Sequence, residues 1–204
     1  MIESLAPEEI KKYIDENEAR LRQYVSLLIK ANELARLTGP SDEGTLWNGH
    51  IIDCAFALPL LPAGGSVIDV GTGGGLPGLV WAICRPGLHV TLLDSITRKC
   101  VQVERIAELM GLSNVTVVCS RSEDYAKKNL EKFDAAAARA VCAYDACIPL
   151  PFAPRDGRSA VALIKRQSDS LTRADAAYYR AVPDEKSGWL LESLRMDERI
   201  ETTL

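Results

Sequence analysis

From about residue 65 to residue 165 the chain alternates short β-rich runs with stretches of helical character, and that alternation restricts the fold more than any other feature. The runs are "SVIDV" (66–70), "VTLL" (90–93), "VTVV" (115–118), "FDAAAA" (133–138) and "AVALIK" (160–165). Helical stretches separate them at Pro77 to Cys84, Arg98 to Met110, Glu123 to Lys128 and Cys142 to Leu150. This alternation builds βαβ units with parallel strands and right-handed crossovers. Sheets of that kind bind ligands beyond the carboxyl ends of their strands, where the winding direction switches. The expected fold class is α/β, a Rossmann-like, mostly parallel sheet over 66–204 behind an N-terminal helical extension over 1–65.

In the extension, Ser4 followed by Pro7, Glu8 and Glu9 marks a helix start, with a capping residue, an early proline and acids at the positive end of the dipole. Leu21, Tyr24, Val25, Leu28 and Ile29 then recur at helical spacing, which predicts a second amphipathic helix from Glu18 to Leu37. "TGPSDEG" (38–44) is a loop, and "WNGHIIDCAFALPLLPAGG" reads as an apolar helix broken at Pro59 and Pro62, with Gly64 and Gly65 as the hinge. At the other end, the chain from Gln167 is polar and offers only a weak strand in "WLLESL" (189–194), so the last antiparallel strand is expected to be missing or replaced.

The first strand runs into "DVGTGGGLPG" (69–78), where two glycine patterns overlap. Asp69 with Gly71, Gly73 and Gly75 gives D-x-G-x-G-x-G, a pattern suited to S-adenosylmethionine; Gly73, Gly75 and Gly78 give G-x-G-x-x-G, the dinucleotide pattern. Asp94, at the end of the second strand, could hold a ribose in either case. Pro77 separates the two: a dinucleotide seats its pyrophosphate on the free amides of the helix start, and proline removes one of them. S-adenosylmethionine has no phosphate and loses nothing. Asp69 would sit beneath the loop, holding its amides or reaching the methionine end of the ligand.

Composition bounds the remaining classes. The 204 residues, 47% hydrophobic and 25% charged, can bury a core without staples. No apolar run is long enough to span a bilayer, and "MIESLAPEEIKKYIDE" has acids where a signal peptide needs a basic start, so an unexported cytoplasmic protein is expected. Six scattered cysteines without a C-x-x-C pair, and two histidines, point to neither a metal cluster nor a disulfide framework. A formal charge of -4 gives no global attraction to nucleic acid, so RNA binding would need a local basic patch; candidates include Arg98 with Lys99, Lys127 with Lys128, and Lys165 with Arg166.

"DVGTGGGLPG", with "TLLDSITRK", "SRSED", "ARAV" and the upstream "GHIIDCA", resembles the bacterial ribosomal small-subunit methyltransferase G family, glucose-inhibited division protein B, over about residues 21 to 165. The resemblance implies a class I S-adenosylmethionine-dependent methyltransferase acting on N7 of a guanine in 16S rRNA. It implies cofactor contacts from Asp69, Gly71, Gly73, Gly75 and Leu76 in the loop, Asp94 and Ser95, Ser122 and Glu123, and Arg139. Arg139, Lys165 and His50 are the candidate substrate-binding residues, though His50 and Asp53, one helical turn apart, could instead orient the N-terminal helices against the glycine loop. Glu123 could also serve as helix-capping chemistry, and Arg139 as half of a structural ion pair. No catalytic side chain is expected, because N7 carries an in-plane lone pair and needs only to be held in line with the methyl carbon. Consistent with this, no [DN]-P-P-[YF] follows the fourth strand, and Cys142 and Cys147 sit in no Pro-Cys motif. The expected partner is 16S rRNA or the small subunit particle, bound by a monomer without metal or membrane. A methyltransferase of another RNA or a small molecule, and a cofactor- and RNA-binding protein without turnover, are the alternatives.

The chain departs from the family where W-N-x-x-x-N-L-T is usual. "KANELARLT" has Ala31 in place of the tryptophan and Arg36 in place of the second asparagine, which predicts weaker packing of the N-terminal helices.

Overall fold

A computed structural model describes residues 7–39, 42–128, 133–139, 160–165, 176–184 and 188–194. The helix expected at 142–150, with Cys142 and Cys147, and the Ser4 cap lie outside them.

Residues Pro7–Ala35 form one helix, α1, rather than the two expected. No glycine or proline interrupts the chain between Glu8 and Thr38, and the acids and Asn17 at 15–18 lower helix propensity without breaking the helix. Ile10, Ile14, Leu21, Tyr24, Val25, Leu28, Ala31 and Ala35 are buried along one stripe. The helix stops at Arg36, which has φ 45° and donates its amide to the Asn32 carbonyl at 3.0 Å. This left-handed closing residue is a position that suits glycine or asparagine. Asn32 secures the exit: its side-chain oxygen accepts the Thr38 amide at 2.8 Å.

A broken helical layer follows. Asp42 caps α2 (Glu43–Leu46) by accepting the Thr45 amide at 2.8 Å, and that bond holds its carboxyl below the usual carboxylate range. A π-helical turn (Trp47–Ile51) leads into α3 (Ile52–Ala55), and a 3-10 turn at Leu58–Leu60 replaces the last part of the expected helix. The α-helix thus ends at Ala55, and Pro59 sits inside the 3-10 turn, near its start, where its missing amide costs little.

The sheet holds β1 (Gly65–Val70), β2 (Leu88–Asp94), β3 (Val115–Cys119), β4 (Ala135–Arg139), β5 (Ala160–Lys165), β6 (Ala176–Asp184) and β7 (Gly188–Leu194), with α4 (Gly78–Cys84), α5 (Thr97–Leu109) and α6 (Ser122–Lys128) between the early strands. Its order is β3-β2-β1-β4-β5-β6-β7. The first five strands are parallel, and β6 and β7 are antiparallel. The winding switches between β1 and β4, as the alternation predicts. The expected loss of the last antiparallel strand is corrected: β6 pairs with β5 from Ala160 to Lys165, and β7, which contains "WLLESL", pairs with β6. An unpaired β5 edge would leave a row of backbone donors and acceptors, and the aromatic and β-branched residues of "AAYYRAVPD" suit the strand that covers it. Pro183 stands next to the end of β6, where a proline is tolerated.

Strand alternation sorts the core. Val67, Val90, Leu92, Ala135 and Ala137 share one cluster with α1, α4 and α5, while Ile68, Val70, Leu93, Ala136 and Ala138 meet Tyr125 and Phe133 on the opposite face. The run of alanines in β4 is buried on both faces. Trp81, fully buried on α4, donates its indole N–H to the Cys54 carbonyl at 3.1 Å and ties α4 to α3.

Candidate active site at the carboxyl edge of the sheet

β1 ends at Val70, and the chain turns over the end of β2. The amides of Gly71 and Thr72 both donate to the Leu93 carbonyl, at 2.7 and 3.1 Å, and those of Gly75 and Leu76 donate to the Thr72 carbonyl, at 2.8 and 3.1 Å. Gly71, Gly73 and Gly75 all have positive φ, so the loop winds through backbone conformations that side chains resist.

Asp69 lies beneath this loop with no solvent exposure. Its Oδ2 accepts the Thr72 hydroxyl at 2.7 Å and the Gly78 amide at 2.9 Å. Pro77 has no amide to give, so the first amide of α4 already has an internal carboxylate as its acceptor. Asp94 braces the loop from the other side. Its Oδ2 accepts the Gly73 amide at 3.0 Å and its Oδ1 accepts the Ile96 amide at 2.9 Å.

The amides of Gly71, Thr72, Gly73, Gly75, Leu76 and Gly78 therefore turn inward, toward two carboxylates and two backbone carbonyls, and none of these bonds uses the carbonyl oxygens of Gly71 and Gly73. Phosphate recognition needs outward-facing amides. This arrangement suits a ligand that is neutral or positively charged where it meets the loop. It favours the first of the two glycine patterns on physical grounds.

The N-terminal helix closes the loop from behind. The buried Tyr24 hydroxyl donates to the Gly74 carbonyl at 2.8 Å, and a Cβ on Gly74 would come within 2.8 Å of Leu28 Cδ1 and 3.1 Å of Thr38 Cγ2. A Cβ on Gly73 would stand 3.3 Å from the Leu37 carbonyl.

The other expected residues collect on the same edge. Ser95 is exposed directly after Asp94. Ser122 opens α6, its hydroxyl 3.3 Å from Glu123 Oε2; a bond to its own backbone amide and this hydroxyl hold the Glu123 carboxyl below the usual range. The Glu123 side chain is exposed. Arg139 ends β4 and is the register partner of Lys165, which ends β5. His50 is half-buried on the π-helical turn of the N-terminal layer. Among the described residues, no cluster of three or more His, Cys, Asp or Glu is placed to hold a metal, and no helix is long and apolar enough to cross a membrane.

Sequence reasoning passed over three residues that shape this site: Thr72, Tyr24 and Asn32. The spacing of Asp69 and Thr72 in D-x-x-T was the available signal for the first.

The model of the family described as rRNA small subunit methyltransferase G matches residues 17–181. The chain belongs to this family. Among its relatives, the ribosomal RNA small subunit methyltransferase G of Sorangium cellulosum is 40% identical over 166 residues, 78% of this chain and 69% of that one. The relative of the same name from Thermobifida fusca is 40% identical over 130 residues, covering 64% of this chain and 52% of its own length. The chain thus spans from about half to about two thirds of the length of such family members. A solved coclaurine N-methyltransferase, bound to N-methylheliamine and SAH, superposes with a TM-score of 0.54 at 15% identity, covering 78% of this chain and 56% of that one. At that identity the likeness speaks for the methyltransferase fold alone.

Proposed function

We propose that this chain transfers a methyl group from S-adenosylmethionine to N7 of a guanine in 16S rRNA. The observation that carries the reading is the inward turn of the loop amides over Asp69 and Asp94, which favours a phosphate-free, cationic cofactor. When bound, S-adenosylmethionine supplies a methyl group made electrophilic by its sulfonium. In this reading the backbone at Gly71, Gly73, Gly75 and Leu76 holds the methionine half, with Asp69 fixing the loop from below. Asp94 takes the ribose hydroxyls, and Ser95, Ser122 and Glu123 surround the base. Arg139 and Lys165, adjacent at the ends of β4 and β5, present cations to the RNA or, for Arg139, to the methionine carboxylate. His50 contributes from the helical layer. The chain needs no general base, because the N7 lone pair is free at neutral pH; its residues act by holding the reactants in line and excluding water. The same reading makes it a metal-free monomer of the bacterial cytoplasm, divided near residue 65 between extension and catalytic domain.

The test is direct. Unmodified small-subunit RNA is incubated with the protein and S-adenosylmethionine, then digested to nucleosides for mass spectrometry. New 7-methylguanosine that disappears with Gly73→Asp supports the reading, because an aspartate there meets the Leu37 carbonyl and adds a negative charge. Cofactor binding without product from any form of the small-subunit RNA would favour a binding protein or a different substrate.

A further inference from the structure

We propose that Cys100 and Cys119 form an oxidisable pair whose disulfide releases the Asp94 turn from its present hydrogen bonding. β2 and β3 bring the two thiols together at the carboxyl edge: Asp94 and Cys119 are register partners, and Cys100 stands in the first turn of α5. The Cys100 thiol donates to the Asp94 carbonyl at 3.3 Å, and the Cys119 thiol to the Thr97 hydroxyl at 3.5 Å. The placement of both thiols around the Asp94–Thr97 turn is what brings them near each other; burial, then the hydrogen bond and charge of the neighbouring Cys119 thiol, push Cys100 up to about 12. Cys100 is 5% exposed, whereas Cys119 is open to solvent. The pair therefore has an accessible member that an oxidant can reach and a sheltered one that, held protonated by burial, resolves the product slowly.

With hydrogen peroxide as the oxidant, the steps balance. The Cys119 sulfur attacks one peroxide oxygen, the O–O bond breaks, and the thiol proton leaves with the departing hydroxide as water, giving a sulfenic acid. The Cys100 sulfur then displaces that hydroxyl. An S–S bond forms, the S–O bond breaks, and the Cys100 proton leaves in a second water. Two thiols lose two electrons in all. Such pairs in a reducing compartment are redox sensors rather than structural staples.

The consequence follows from what the Cys100 thiol now does. As a disulfide it has no proton to donate, so the Asp94 carbonyl keeps only the Ser120 amide, at 3.0 Å. Closing the S–S bond also draws the start of α5 toward the end of β3. The Asp94 carboxylate holds the Gly73 and Ile96 amides, so this shift reaches the glycine loop. The bond itself stands apart from the functional reading; its effect on cofactor binding rests on that reading.

The full chain is treated with hydrogen peroxide, alkylated and digested with trypsin without reduction. Peptides 100–105 and 106–121 are expected to run as one species, two hydrogens lighter than their sum, which dithiothreitol separates and Cys119→Ser abolishes. Affinity for S-adenosylhomocysteine is expected to fall about fivefold on oxidation, the share of one ordinary hydrogen bond, and to recover on reduction. Cys119→Ser should bind equally well with and without peroxide. Sulfinic acid on Cys119 with no joined peptide overturns the proposal, and joined peptides with unchanged affinity overturn the release of the turn. If the reduced chain takes up no S-adenosylhomocysteine, the functional reading fails, while the joined peptides still decide the pair.

Discussion

The Tyr24 hydroxyl, on the N-terminal helix, holds the carbonyl of Gly74, in the loop after the first strand, at 2.8 Å. The helix that precedes the sheet is thereby part of the loop that the sheet presents. Tyr24→Phe keeps the ring packed and leaves the buried Gly74 carbonyl without its donor. A loss of about 1–2 kcal/mol in urea unfolding, together with weaker S-adenosylhomocysteine binding, is expected. Unchanged affinity in a destabilised variant would mean that the loop keeps its shape without α1.

Gly78 has no room for a side chain. A Cβ there would collide with Leu92 Cδ2 and stand 3.0 Å from Asp69 Oδ2, the atom that accepts its own amide. Gly78→Ala should cost about 1–3 kcal/mol by overpacking and reduce cofactor affinity, measured by unfolding and by calorimetric titration. A variant of native stability and affinity would show that α4 can shift outward freely.

Arg36 offers a change in the opposite direction. Its φ of 45° is strained for an arginine, whereas asparagine tolerates the left-handed region and is the family's usual residue there. Arg36→Asn should raise stability by about 0.5–1 kcal/mol, seen as a higher midpoint in urea, through relief of strain at the end of α1. A lower midpoint would place the arginine side chain in an interaction worth more than the strain.

Alkaline pH should weaken the fold. Burial pushes both the Cys84 and the Cys100 thiols from 9.0 up to about 12. Between those values the unfolded chain has released protons that the folded chain still holds, so stability is complete below pH 9 and falls as pH rises toward 12. Urea midpoints measured from pH 8 to 10.5 should decline, and Cys84→Ala should flatten part of the decline. A level profile would show that both thiols reach solvent in the folded state.

RNA binding should depend steeply on salt. With a net charge of -4, the proposed contact would rely on local cations, Arg139 and Lys165 among the candidates, and each phosphate engaged lowers log K by about 0.7 per decade of salt for a single strand. Filter binding between 50 and 300 mM salt, round values spanning about the physiological range, measures the slope. A flat response would count against RNA as the partner.

The strands and the glycine loop were legible because β-branched runs and special backbone angles leave strong local marks. Asp69 was legible as well, since an acid ending a strand before glycines has few places to go but under the turn. Tyr24 was different: it fits the apolar period of a helix so well that nothing local reveals where its hydroxyl points. The pairing of Asn32 with the Thr38 amide depends on how the helix ends, which a substituted Arg36 disguised. The sixth strand was obscured by its alanines and Pro183, and became a strand because β5 offered an edge to cover.

The inward-turned loop has a consequence for selectivity among the adenosine compounds of a cell. Nucleotides share their base and sugar with the proposed cofactor, so shape alone would admit them to the same edge of the sheet. With the amides of Gly71, Thr72, Gly73, Gly75, Leu76 and Gly78 already bonded inward, a molecule that carries phosphate in place of a cationic tail is expected to give up its hydration and gain few loop donors in exchange. On the proposed function, adenosine compounds are expected to sort at this site by the sign of their charge, through backbone orientation rather than a gate.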